Sequence, residues 1–536
     1  MSEGFQVARL IPVSGIANAV EAEMRATSAL LSVLTIVRDL STAVTTPLGA
    51  SSARKATVEA FIETQFKMGT GAVVRPDGLI QVTYGSSIWR ALVEVKTGDN
   101  CLQADQVNNY LAVAREQGID AVITISNEIA FGTEHPCEGV KVRSNSKVRL
   151  VHYSWTELLA VAVRAKVHQG VEDPEQAWIL GELIRYLEHP ASGAMAFEDM
   201  GPNWVAVRDG AREAALRKTG DDVRDIAQRW DQLMRFAALQ LGADTGVDVQ
   251  SVVPRSHTDP KARLSYLVDG LVGTGQVDGT LRVPGAAGNL VLSADLRARQ
   301  VAVAAEVTAP SDRGNKARVT WLARQLDADT PPGLIIEAWP RHARQPLTAT
   351  LAQAREDPSL LVDAERRDIV RFRLLLRSEM GQSRKDGGRS PGFIQSVMRL
   401  VQSFYGTVLQ QVTPWVSQAP QSRSGGQPAE LKHEPIKDEE ELDEAITAAR
   451  DEVAEKTGDA PPHAAPTASE PEDVPVVDSE DPIWEAEAEV EESVEDDFVA
   501  APTGTLDVDD AATADDEAAA AEERLGEIPR STSAKP

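Results

Sequence analysis

Three residues in two short stretches carry the chemistry to be explained: Asp77 in "RPDGLIQV", then Glu94 and Lys96 in "ALVEVKTG". Both stretches are apolar enough to be strands, and a charge beside a buried strand is costly unless it is paired or holds a metal. Glu94 and Lys96 are two apart, so on a strand their side chains leave one face while Val95 points into the core. An adjacent strand would bring Asp77 to the same edge of the sheet. Two carboxylates and the backbone carbonyl of Val95 form an oxygen set suited to a hard cation, Mg²⁺ or Mn²⁺. Such a cation polarises a phosphoryl oxygen and lowers the pKa of a bound water. Lys96 would orient that water and offset the charge developing on the phosphate. This chemistry suits phosphodiester hydrolysis; the alternative is a satisfied ionic cluster without turnover.

The elements that must hold these residues follow from periodicity. Residues 16 to 44 have apolar positions at helical spacing, with Ser14 as N-cap and Pro47 and Gly49 as the stop. Residues 58–66, 73–82 and 88–95 predict three strands, the last two joined through Gly85, Ser86 and Ser87. Leu102, Val107, Tyr110, Leu111 and Ala114 share a helical face that Gly118 closes. The continuous apolar run "AVITIS" (residues 121–126) predicts a buried strand after a crossover. The order is α-β-β-β-α-β. A strand in "VRLVHYSW", a helix from Thr156 and another in "DPEQAWILGELIRYLEH" extend the unit to near His189.

In that order, "PD", sixteen residues and then "EVK" resemble the signature of the PD-(D/E)XK nuclease superfamily. The resemblance covers residues 16 to 126, with an extension to His189, about a third of the chain. It implies a restriction-endonuclease-like α/β core. The implied activity is Mg²⁺-dependent cleavage of nucleic acid, with DNA the expected substrate, in defence or repair. Asp77 and Glu94 become metal ligands and Lys96 the catalytic lysine. Many members carry a Gln in the helix after the lysine strand, where Gln103 and Gln106 stand. Some add a Glu from the first helix, for which Glu23, beside Glu21, is the candidate; Glu63, on the first strand, is a weaker one. Two-fold cutting would favour a homodimer. The rival reading is a nuclease-fold scaffold or binding protein without turnover.

The resemblance implies a nuclease-like domain over residues 1–190, the element pattern predicts an α+β region over 191–417, and composition sets off a tail (418–536). Residues 428 to 536 hold 35 Asp+Glu against 7 Lys+Arg, which is the entire net charge of -28; residues 1 to 427 hold 47 of each. The tail is poor in core-forming residues and is expected to be disordered. It reads first as a solvated acidic segment. With Trp484 and Phe498 in an acidic field, it also reads as a docking motif for a protein partner, or as a mimic that competes for a basic surface. A neutral body departs from the basic surface nucleases use to hold phosphates. Local basic stretches are "KVRSNSKVR" (residues 141–149) and the Arg-rich "ERRDIVRFRLLLR" (365–377), whose residues 368–380 are ambiguous between strand and helix.

Residues 277–339 echo the first motif. "VDGTLRV" parallels "PDGLIQV", and Glu306 stands 28 positions before Leu334 as Glu94 stands before Val122. A degenerate second copy would place Asp278 and Glu306 at the site, with Thr308 in place of the lysine. Chance similarity explains the match equally well. Only Cys101 and Cys137 are present, which fits a reducing cytoplasm rather than a disulfide framework. His135, Cys137 and His152 match no compact zinc spacing. No apolar run is long enough to span a bilayer, and the first residues lack the order of a signal peptide.

Overall fold

The computed structural model describes residues 9–13, 16, 18–69, 71–130, 135–143, 145–387, 391–416 and 498–500. All of these fall in one compact unit of mixed α/β architecture built on two main sheets, neither of them a closed barrel.

The first half opens with α1 (Ala19–Ile36) and α2 (Arg38–Thr45). Residues 16 to 44 are thus two helices, not the one that periodicity predicts. They meet at Val37, which is fully buried and extended (φ -92°, ψ 99°), and the segments Ala19–Ile36 and Arg38–Leu48 are bent by 106°. The bend lets Leu30 and Leu34 of α1 and Leu40 and Val44 of α2 cover one face of the same sheet, against Ile80 and Val93. Ser14 lies outside the described residues; the N-cap is Asn18, whose side chain accepts the Glu21 N–H at 3.0 Å.

Next come β1 (Thr57–Ile62), a small hairpin of β2 (Phe66–Lys67) and β3 (Val73–Val74), then β4 (Gly78–Tyr84) and β5 (Ser87–Val95). After them α3 (Ala104–Gln117) leads to β6 (Ala121–Ser126), β7 (Arg149–Ser154), α4 (Trp155–Val163) and α5 (Pro174–Leu187). The sheet runs β1-β4-β5-β6-β7. β1, β4 and β5 are antiparallel, while β6 and β7 are parallel to β5. Its other face is covered by α3, where Val107, Tyr110, Leu111 and Ala114 pack on Leu92, Val122 and Leu150. A strand buried on both faces explains the unbroken apolar runs in β5 and β6.

The second half comprises α6 (Trp204–Arg212), α7 (Asp221–Thr245), β8 (Gln250–Pro254), α8 (Pro260–Gly273) and a meander of β9 (Gln276–Arg282), β10 (Leu290–Asp295) and β11 (Gln300–Thr308). It continues through α9 (Asn315–Gln325), β12 (Ile335–Pro340), β13 (Leu347–Thr350), α10 (Leu351–Glu356), β14 (Ile369–Glu379) and α11 (Phe393–Thr407). β15 (Phe498–Ala500) joins this sheet, whose order is β13-β12-β14-β11-β10-β9-β8-β15. Every pairing is antiparallel. Trp230 and Met234 of α7 and Phe393 and Phe404 of α11 pack on Leu281, Leu292, Val303 and Leu374.

Three expectations are corrected here. Residues 277–339 do not repeat the first motif. β10 separates β9 from β11, whereas β4 pairs directly with β5, and β14 lies between β11 and β12, whereas β5 pairs directly with β6. Asp278 instead accepts the Tyr266 hydroxyl at 2.7 Å, and Glu306 pairs with Arg371 at 3.4 Å. The ambiguous residues 368–380 are the central strand β14. Its arginines 371, 373 and 377 alternate with the buried Phe372, Leu374 and Leu376. Within the tail, Phe498–Ala500 is a strand on the edge of β8, paired with residues 252–254. Trp484 and the rest of residues 418–536 lie outside the described residues.

The boundary at residue 190 is not a break in packing, since Ile129 belongs to the core of the second half. Among the described residues no single helix is long and apolar enough to cross a membrane, and both cysteines are free thiols.

Candidate active site

The register of β4 on β5 sets the site. Gly78 faces Val93, so Asp77 arrives beside the end of β5, and its Oδ2 accepts the Val95 N–H at 2.7 Å. The parallel pairing of β5 with β6 continues past the strand end, because the Lys96 N–H donates to the Ile125 carbonyl at 2.7 Å. On its other side the Lys96 carbonyl accepts the indole N–H of buried Trp155 at 2.8 Å. The Lys96 backbone is therefore held on both sides before its side chain does anything.

The loop that follows is clamped as well. The Asn127 amide donates to the carbonyls of Gly98 (3.0 Å) and Gly193 (2.8 Å), and Gly193 accepts the Gly98 N–H. Gly193 has φ +75°, and a Cβ there would lie 2.9 Å from that of Thr97. A side chain at 193 would both strain the backbone and push the loop away.

Four oxygen-bearing groups gather around the Lys96 ammonium. Nζ lies 2.6 Å from Glu94 Oε1, 3.0 Å from Glu23 Oε1 and 3.0 Å from the Val95 carbonyl, with Asp77 Oδ2 at 3.9 Å. Glu23 reaches this point from α1, and its second oxygen accepts the Asn100 amide at 3.4 Å. Glu94 is fully buried, and the Lys96 side chain is only 13% exposed. The lysine is thus more deeply set than a residue at a strand end would suggest.

Burial pushes the Glu94 carboxyl up to about 7, and the nearby Asp77 charge adds to this. Lys96 and the Tyr110 hydroxyl pull the other way. Burial alone would lower the Lys96 ammonium, but Glu94, then Asp77 and Glu23, outweigh it and leave its pKa raised. Tyr110 is buried on α3; its hydroxyl donates to Glu94 Oε2 at 2.7 Å and accepts the Gln106 amide at 2.9 Å. Burial and the Glu94 carboxylate hold its proton in place well above the usual phenol range.

Of the residues singled out in the sequence, Asp77, Glu94, Lys96, Glu23 and the Val95 carbonyl come together. Gln106 stands one residue removed, acting on Glu94 through Tyr110. Gln103 does not take part: its amide turns to the Cys101 carbonyl at 3.4 Å, at the exposed start of α3. Glu21 pairs with Arg25 one turn along α1, which directs it away. Glu63 is exposed and meets Asp77 only through backbone, at 3.3 Å. Tyr110, Asn127, Trp155 and Gly193 were not readable as site residues. The four-residue step from Gln106 to Tyr110 was the one local signal, since it puts both on one helical face.

The donor set is all oxygen, three carboxylates and a backbone carbonyl, which fits Mg²⁺ or Mn²⁺. No group of three or more His, Cys, Asp or Glu among the described residues forms a ready-made metal site, because here the carboxylates close on an ammonium. Beside the site, past Gly98 and Asn100, opens a cavity of about 530 Å³ toward α7. Asp99, Glu128, Glu138, Glu198, Asp225 and Asp386 line it and outnumber Arg229 and Lys385. That wall repels phosphate. Of the basic stretch at 141–149, Arg149 lies at the other end of the sheet, since it pairs with Ala121 and not with the Ile125 end of β6, while the Lys141 N–H donates to Asn108 on α3 at 2.8 Å. Compared with known proteins, the chain matches no family model, no curated protein and no solved structure.

Proposed function

We propose that this protein hydrolyses phosphodiester bonds in nucleic acid, with DNA the preferred substrate, using Mg²⁺ or Mn²⁺ held by Asp77, Glu94, the Val95 carbonyl and Glu23. The observation that carries the reading is the convergence of these four groups on Lys96, at the end of the central strand β5. The element order α1, α2, β1, β4, β5, α3, β6 resembles the α-β-β-β-α-β order of PD-(D/E)XK nucleases, with a second helix and the small β2–β3 hairpin added. Bound there, the cation would supply Lewis-acid polarisation of the phosphoryl oxygen. Asp77 and Glu94 are held for this by the Val95 N–H and by Tyr110. Lys96, once turned outward, would donate to the attacking water and to the phosphoryl oxygen on which charge develops. The acidic cleft disfavours approach of a polyanion from the side of α7. The test is cleavage of labelled single-stranded DNA, duplex DNA and RNA by the full chain with Mg²⁺. Lys96→Ala should lower the rate by about 100-fold or more, the scale of losing one transition-state donor. Asp77→Asn should weaken metal binding too. Unchanged cleavage by Lys96→Ala would place any activity elsewhere.

The acidic cleft and the neutral body favour a second reading, a binding protein that keeps this architecture without turnover. Binding of nucleic acid or of a protein partner without cleavage under any metal would select it.

A further inference from the structure

The site's carboxylates surround an occupied point, and the occupant is part of the chain. A lysine ammonium has three N–H donors. Here they are directed to Glu94 Oε1, Glu23 Oε1 and the Val95 carbonyl, at 2.6, 3.0 and 3.0 Å. No donor remains for a water or a phosphate. All three of these acceptors, together with Asp77 3.9 Å away, are the groups with which the oxygen set would hold a divalent cation. The same oxygens cannot serve both cations at once.

We propose that Lys96 is a resident cation that a divalent metal must displace before the site can act. This rests on the metal-dependent reading above. With all three carboxylates ionised, the ammonium leaves the cluster two negative charges in excess, whereas a divalent ion in its place leaves only one. The displaced ammonium then regains free donors. Loading the metal and arming the lysine are thus one event, and the metal-free site is held closed by its own catalytic residue. The route out is the exposed side of the cluster, where the Asp77 side chain is 30% exposed and Glu94 blocks the inner side at 0%. The backbone need not move, since Ile125 and Trp155 hold the Lys96 peptide independently of its side chain.

The test measures metal affinity, not activity. Mn²⁺ is titrated calorimetrically into the full chain, into Lys96→Met and into Lys96→Gln, the second variant covering failure of the first to fold. Both should bind Mn²⁺ at least tenfold tighter than the parent chain, and Mn²⁺ should raise their melting temperatures by more. Lys147→Met makes the same charge change at the far end of the sheet and should bind like the parent. Equal or weaker binding by the Lys96 variants, while the parent binds, would overturn displacement and leave the metal reading standing. A matching gain in Lys147→Met would reduce the effect to general electrostatics and also overturn it. Binding by none of the four chains would remove the metal reading itself, and displacement with it.

Discussion

Glu94 shows how one side chain can be made both costly and useful. A fully buried carboxylate survives only when its lone pairs are occupied, and here Lys96 takes one oxygen and Tyr110 the other. Removing the Tyr110 hydroxyl tests this division. Tyr110→Phe leaves Glu94 Oε2 without its donor, which should cost about 1–3 kcal/mol. Because the hydroxyl lowers the Glu94 pKa, its loss should carry the carboxyl further above its present value of about 7. Carbon-detected NMR of labelled Glu side chains would follow this; an unchanged titration would mean that Tyr110 packs without tuning Glu94. The sequence made Asp77, Glu94 and Lys96 legible because a period of two fixes the relation of Glu94 to Lys96 within one strand. Tyr110 was hidden because it also completes an apolar helix face, and a core tyrosine and a positioning tyrosine look alike until the partner strand is known.

At the scale of elements, what periodicity could not supply was the order of strands. β14 was ambiguous because a strand with one buried and one arginine-bearing face resembles an amphipathic helix over so few residues. The echo between residues 277–339 and the first motif came from matched lengths of strand and helix, and lengths say nothing of which strand slips between two others. A cross-strand pair offers a test at this scale. Thr124 on β6 faces His152 on β7, and the hydroxyl lies 3.1 Å from His152 Nδ1 and 2.9 Å from His135 Nε2. His152 Nε2 meets the Glu128 carbonyl at 2.8 Å. Burial lowers His135 to about 4 and His152 to about 3, from 6.5. The fold favours neutral imidazoles, so their contribution is intact above pH 6.5. It is lost as acid protonates the unfolded chain first, by on the order of 1 kcal/mol per pH unit for each group. Glu94 and Glu157, raised to about 7, oppose this trend in the same window. The wild-type curve alone is therefore uninformative. The difference between wild type and His152→Gln isolates the imidazole: the variant should be less stable at pH 7, and the gap should narrow steadily toward pH 5. A constant gap would show that His152 is not held neutral.

For the molecule as a whole, charge and fold are carried by different residues. Residues 428–536 hold the net charge of -28, and among the described residues they add only the three-residue strand β15 to the edge of β8. Composition made the charge division legible, but not the short pairing, since three residues carry no period. So short an edge strand contributes few buried contacts. A chain ending at Gln427 should therefore lose about 1 kcal/mol or less, and its melting temperature should fall by less than about 4 °C. A much larger fall would mean that the tail is part of the folded body. The electrostatic consequence should be greater than the thermal one. With the tail gone the protein is neutral, and nucleic acid no longer has to approach a strongly anionic chain. If the site acts on nucleic acid, the shortened protein should bind it more tightly at low salt. The advantage should shrink as the Debye length falls from about 10 Å at 0.1 M to about 3 Å at 1 M. Affinities of both chains for one labelled duplex, measured across that series, test this. Equal affinity at low salt would remove any role for the tail in restraining the site, while a gain that persists at 1 M would point to steric blocking instead of charge.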